Sequence, residues 1–125
     1  EMKKELNSSK APGAIGPYSQ AIQTGNLIFV SGQLPINAET GEMPADIKAQ
    51  TKQSIDNVKA ILAEAGATLD NVVKTTVFLA DMELFGPMNE VYGQEFQKTY
   101  PARCAFAVKE LPKKALVEIE VIAAV

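Results

Sequence analysis

A chain of 125 residues, 46% of them apolar and with a net charge of −3, suffices for one folded domain and hardly for two. It holds no histidine, one cysteine and twelve scattered Lys and Arg residues, adjacent only at Lys3-Lys4 and Lys113-Lys114. Those counts remove Ser-His-Asp and Cys-His catalysis, the usual zinc sites and an internal disulfide, and they argue against a basic stripe for nucleic-acid phosphates.

No apolar run approaches the ~20 residues that cross a bilayer. Residues 1–10 are polar and carry no secretory h-region, so they read as a flexible N-terminus, with Glu1 ahead of Met2 a cloning remnant. The lone Cys104 suits a reducing compartment, and the expected location is the cytoplasm.

In chain order, Tyr18 to Thr24 and Leu27 to Gln33 are two short runs joined by Gly25-Asn26, a dipeptide suited to a two-residue hairpin turn. A stretch rich in turn residues comes next, with Pro35, Asn37, Thr40-Gly41 and Pro44. Asp46 then introduces a periodic segment in which Ile47, Thr51, Ile55, Val58, Ile61, Leu62 and Ala65 recur every three or four residues. Gly66 stands at the C-cap of this long amphipathic helix. Val72 to Ala80, rich in β-branched residues, reads as a strand near the centre of a sheet.

From Leu84, the residues Leu84, Met88, Val91, Tyr92 and Phe96 share a second helical face, with Pro87 tolerable near the first turn and an end near Tyr100-Pro101. Ala102 to Val108 and Leu116 to Ala124, separated by Leu111-Pro112-Lys113-Lys114, read as a closing pair of strands. The order ββαβαββ implies an α+β domain, a single-layer sheet with both helices on one face. In the last strand Val117, Ile119, Val121 and Ala123 alternate with Leu116, Glu118, Glu120 and Ile122, so neither face is purely polar. No sequence is left to cover the second face, which points to a partner subunit in a symmetric homo-oligomer.

Arg103 lies in an otherwise apolar strand, a costly place for a guanidinium unless it is paired or reaches solvent. It shares a strand face with Ala105 and Ala107, and the small neighbours leave room for its planar fork to grip a carboxylate. The competing assignment is an ion pair with Glu118 or Glu120. Those two glutamates, two positions apart, point to one face of the sheet. A buried carboxylate there, its pKa raised, could deprotonate a water without histidine, or both could be solvated charges.

Tyr18 after Gly16-Pro17 and the Ser31-Gly32 strand end are places where a ligand could approach backbone and ring, or simply a packing residue and a turn. Asn89 on the second helix is either a pocket or a solvent-facing residue. Cys104, opposite Arg103 in strand parity and without a histidine to activate it, reads as a buried structural thiol.

Gly16-Pro17-Tyr18-Ser19-Gln20-Ala21, Val30-Ser31-Gly32-Gln33, Asn57-Val58, Lys74-Thr75-Thr76-Val77-Phe78, Pro101-Ala102-Arg103 and Leu111-Pro112, then Val117-Glu118-Ile119-Glu120, run nearly the length of the chain. Together they resemble the successive signatures of the RidA (YjgF) family of imine and enamine deaminases. The resemblance implies a chorismate-mutase-like α+β fold and a homotrimer with sites in the clefts between subunits. It also implies metal-free and cofactor-free hydrolysis of 2-imino acids such as 2-iminobutanoate and 2-iminopropanoate.

On the same basis Arg103 would bind the substrate carboxylate with the backbone N–H of Ala105, and Glu118 would hold the attacking water. Tyr18, Ser31, Gly32 and Asn89 would line the pocket. One departure stands out: many members carry a cysteine two positions after the arginine, where this chain has Ala105. Orienting an already electrophilic imine and placing a water requires no metal and no covalent nucleophile, which fits a chain without histidine. A keto-acid-binding module without turnover, a ribonuclease acting as a translation inhibitor and a chaperone-like protein are the alternatives. The acidic balance speaks against the nuclease.

Overall fold

The computed structural model describes residues 2–125, so Glu1 lies outside the described residues. Six strands, β1 (Lys4–Leu6), β2 (Ala21–Thr24), β3 (Leu27–Gln33), β4 (Val72–Leu79), β5 (Ala102–Ala107) and β6 (Val117–Ala124), form one sheet in the order β1-β2-β3-β6-β4-β5. Helices α1 (Ile47–Ala63) and α2 (Phe85–Glu95) pack against each other, and both join the core formed by one face of that sheet. The domain is the expected α+β type. No helix among the described residues is long and apolar enough to cross a membrane.

Local chemistry explains most boundaries. Gly25 takes a φ of 56° at the first turn position, which lets Thr24 pair with Leu27 across a two-residue loop. Asp46 caps α1 by accepting a 2.7 Å hydrogen bond from the Ala49 N–H. At the other end Gly66, with φ 71°, turns the chain so that the Ala67 N–H donates back to the Leu62 carbonyl. Between these stops α1 buries Ile55, Val58, Ile61 and Leu62, each no more than 1% exposed and each contributing about 1.5–3 kcal/mol of hydrophobic stabilisation.

Three features differ from the sequence-based expectation. Residues 1–10, expected to be flexible, include strand β1, which pairs antiparallel with β2. The buried Gln20 side chain anchors the segment between these two strands: Oε1 accepts from the Ser8 N–H at 2.7 Å, and Nε2 donates to the carbonyls of Ser8 and Pro12. The second helix ends at Glu95 rather than near Tyr100, because Phe96 is already extended at ψ 142°.

The last two strands are not a pair. β5 runs parallel to β4 because the intervening α2 carries the chain back to the same end of the sheet, as crossover connections do. β6 then enters on the other side of β4, antiparallel to both β4 and β3. Its Val117, Ile119, Val121 and Ala123 are all at most 2% exposed, a burial that needs neighbours on both edges. β5 is left as an edge strand.

Candidate functional site

Strand register assigns the chemistry-bearing side chains to faces. Arg103 pairs with Thr75 of β4, which pairs in turn with Val121 of β6; Thr75 and Val121 are buried under the helices, so Arg103 projects to the helix side. Glu118 lies in register with Phe78, which is in register with Phe106, and Glu120 lies in register with Thr76 and Cys104. Glu118 and Glu120 therefore occupy the opposite, helix-free face. An Arg103 ion pair with either glutamate, open from the sequence, is ruled out within the chain.

On the helix side, Arg103 has a defined surround. Its Nη1 donates a 2.7 Å hydrogen bond to Asn89 Oδ1, and its Cζ lies 4.7 Å from the centroid of the Tyr92 ring and 5.4 Å from that of Phe85. Both ring distances are within cation–π range. A cleft of about 490 Å³ opens beside it, lined by Asn89, Tyr92, Gly93, Tyr100, Pro101 and Arg103.

Ala105 adds a backbone donor at the same edge. The Val108 N–H donates to the Leu79 carbonyl of β4 at 2.9 Å. Because successive amides along a strand point in opposite directions, the N–H groups of Arg103, Ala105 and Ala107 point away from β4, along the free edge of β5.

The other sequence-derived residues gather on the helix-free side. Tyr18, 53% exposed, and Ser31 share a second cleft of about 460 Å³ with Phe29, Glu120 and Lys3. The Ser31 hydroxyl is committed there, donating to the Ser19 carbonyl at 2.7 Å, while its N–H donates to the Gln20 carbonyl. A register shift between Val30 and Gln33 places a bulge at Ser31-Gly32. The bulge brings Gly32 so close to Glu118 that a Cβ at position 32 would run into the Glu118 carboxylate. A side chain at position 32 would therefore displace the Glu118 carboxylate from this place.

Glu118 is half-buried, and its carboxyl titrates above the ordinary 4.5, first because burial disfavours its charge and second because Glu120 repels it. One chain thus presents two candidate half-sites on opposite faces: a cation with amide donors at the β5 edge, and the half-buried Glu118 carboxylate against Gly32, on the face where Tyr18, Ser31 and Glu120 line a cleft. Cys104, expected to be buried, is exposed on the helix-free face, because both helices lie on the other side of the sheet. Tyr92, read from the sequence only as part of a helical apolar face, stands under Arg103; its spacing of three from Asn89 was the available signal.

The comparisons with known proteins agree with the geometry in identifying a protein of this α+β class. Residues 8–125 match the family model described as Endoribonuclease L-PSP. A RutC family protein of Pyrococcus abyssi is 57% identical over 122 residues, covering 97% of this chain and 96% of the relative. The 2-iminobutanoate/2-iminopropanoate deaminase of Escherichia coli K12 is 48% identical over 125 residues, covering 98% of each chain. A crystal structure of E. coli TdcF with bound serine superposes with a TM-score of 0.95 at 46% identity, covering 98% of this chain and 99% of that one. The chain belongs to the RidA (YjgF/Rid) family.

Proposed function

We propose that this chain hydrolyses short 2-imino acids, such as 2-iminobutanoate and 2-iminopropanoate, to 2-oxo acids and ammonia, as the name of its E. coli relative describes for that protein. The observation that carries the reading is the Arg103 fork, held by Asn89 over the Tyr92 ring beside an open cleft, with the outward Ala105 N–H two residues away. That arrangement offers convergent donors to a carboxylate. The serine bound to TdcF, itself a small carboxylate, supports it.

The active assembly is a homotrimer in which the β5 edge of one subunit faces the Glu118 half-site of the next. Phe29, Val73 and Phe106, between 42% and 48% exposed in the single chain, are the apolar surface such packing would cover. Arg103 and the Ala105 N–H bind and orient the carboxylate. Glu118 accepts a proton from a water as that water attacks the imine carbon, forming a C–O bond as the C=N π pair moves to nitrogen. Glu118 passes that proton to the nitrogen and then takes the hydroxyl proton and hands it on as the carbonyl forms and the C–N bond breaks, so one water is consumed, one ammonia is released and Glu118 returns to its anion. Tyr18, Ser31, Gly32 and Asn89 line the site, and no metal or cofactor takes part.

A threonine dehydratase that releases 2-iminobutanoate, with the imine followed in the presence and absence of this protein, tests the reading. Accelerated decay with ammonia release is expected. Saturable 2-oxobutanoate binding without acceleration would make the protein a sensor. Salt-sensitive RNA cleavage would favour the nuclease that the family model's description names, against which the net charge of −3 speaks.

A further inference from the structure

We propose that Tyr92, tethered by Thr75, is a positioning residue that holds Arg103 in its carboxylate-binding pose; the inference rests on Arg103 being the carboxylate anchor. Thr75 is the register partner of Arg103 across β4 and β5 and is fully buried. Its Oγ1 lies 2.8 Å from the Tyr92 hydroxyl, a bond that joins β4 to α2 directly beneath the arginine. The opposite side of the arrangement is closed by Phe96, which stacks on Tyr92 with centroids 4.4 Å apart and planes 27° apart. The Tyr92 ring can therefore neither swing outward nor rotate freely, and Arg103 Cζ sits 4.7 Å from its centroid.

An unrestrained arginine samples many rotamers, so a carboxylate that binds it must first order it. Asn89 alone restrains little, because it is exposed and contributes one hydrogen bond to one end of the fork. An edge contact from Asn89 and a face contact from Tyr92 together restrict both swing and tilt, leaving the remaining N–H groups free for ligand. Burial raises the Tyr92 pKa above 10.0, which keeps the ring a neutral phenol and the Thr75 bond intact through the physiological range. A buried hydroxyl pair of this kind contributes little net stability compared with an apolar pair of the same shape, so orientation is the better account of its presence.

The test is calorimetric titration of 2-oxobutanoate into the assembled protein, alongside KM and kcat for imine hydrolysis and the melting temperature of each sample. Tyr92→Phe and Thr75→Val should each bind about 3- to 10-fold more weakly, the effect of one lost hydrogen bond. Tyr92→Leu, which also removes the ring face, should bind about 5- to 30-fold more weakly. KM should rise in step, with kcat within about twofold of wild type. The Tyr92→Phe/Thr75→Val double variant should be no worse than either single, since both act on one bond.

Wild-type affinity in all these variants while Arg103→Ala fails to bind overturns the positioning role and leaves the Arg103 reading standing, even if melting temperatures fall. Wild-type affinity in Arg103→Ala overturns both. If Tyr92→Leu does not fold, the two shape-conserving single variants decide the matter alone.

Discussion

Arg103 and Glu118, two strands apart in one sheet, point to opposite faces of it: Arg103 stands beside buried Thr75, and Glu118 beside Phe78 on the helix-free side. A single subunit cannot bring the guanidinium and the carboxylate to one small substrate. If they act together, they do so from two copies of the chain.

Mixed assemblies give the direct consequence. Arg103→Ala and Glu118→Gln should each be nearly inactive alone, yet co-expressed and co-purified with two tags they should recover activity. In a trimer that carries both variants, one site in three draws both its Arg103 and its Glu118 from intact copies, so roughly a third of wild-type turnover should return. No recovery in a mixed assembly would mean that the two groups do not serve one shared site. Light scattering on the wild type should give a multiple of 13.4 kDa, three being expected.

Arg103→Ala should lower kcat/KM by at least about tenfold to a hundredfold, because a charge-assisted hydrogen bond contributes about 1.5–3 kcal/mol and a bidentate pair more. Arg103→Lys should recover little of it, since a point charge loses the planar fork. Melting temperature measured on the same samples separates a loss of binding from a loss of fold. Unchanged turnover in a folded Arg103→Ala assembly would remove the carboxylate anchor.

The raised pKa of Glu118 has opposite signs for stability and activity. Its folded-state pKa lies above 4.5, so its favourable contribution to folding is complete below that value and is lost as pH rises through the folded pKa. Glu118→Gln should therefore melt higher than wild type near neutrality, and the gap should close in acid. Turnover needs the anion, so kcat/KM should rise with pH through the same window, and Glu118→Gln should lose about 10²- to 10⁴-fold. Glu120→Gln, by removing the repulsion, should shift the wild-type acid limb to lower pH. A limb that Glu120→Gln leaves in place would assign it to another group.

Gln20→Ala should be costly although it lies in no cleft. It strips the Ser8 N–H and the Ser8 and Pro12 carbonyls of their side-chain partner in a buried setting, each such loss costing about 1–3 kcal/mol. Urea unfolding should show the loss in stability. Hydrogen exchange should show the strongest deprotection over 4–12.

Elements with strong local signals were legible in the sequence. Gly25-Asn26 encodes its turn by conformational freedom, and Asp46 and Gly66 bracket α1 because capping is a contact between near neighbours. β1 was not legible: three residues, Lys4 and Glu5 exposed and only Leu6 buried, show no pattern long enough to read, and what holds the strand is its pairing with Ala21–Gln23. The partner of β5 was equally hidden, since alternation tells which side chains share a face but not which strand lies next door. For that reason the candidate residues could be named individually while their division between two faces could not be read. Tyr92 was overlooked because an aromatic at helical spacing carries the same signal whether it fills a core or supports a cation.

The outward amide at position 105 is a feature of strand direction, not of side-chain identity. A donor of that kind is indifferent to the letter written at its position: alanine, cysteine or serine would present the same N–H, and only proline, which has none, or a one-residue slip of β5 would erase it. The alanine here is thus chemically silent with respect to that donor. A change of side chain at position 105 leaves that donor in place, and a scan that replaces side chains with alanine would pass over it. Replacing the 105 amide with an ester, which deletes one hydrogen-bond donor and leaves every side chain in place, is the substitution that would reach it.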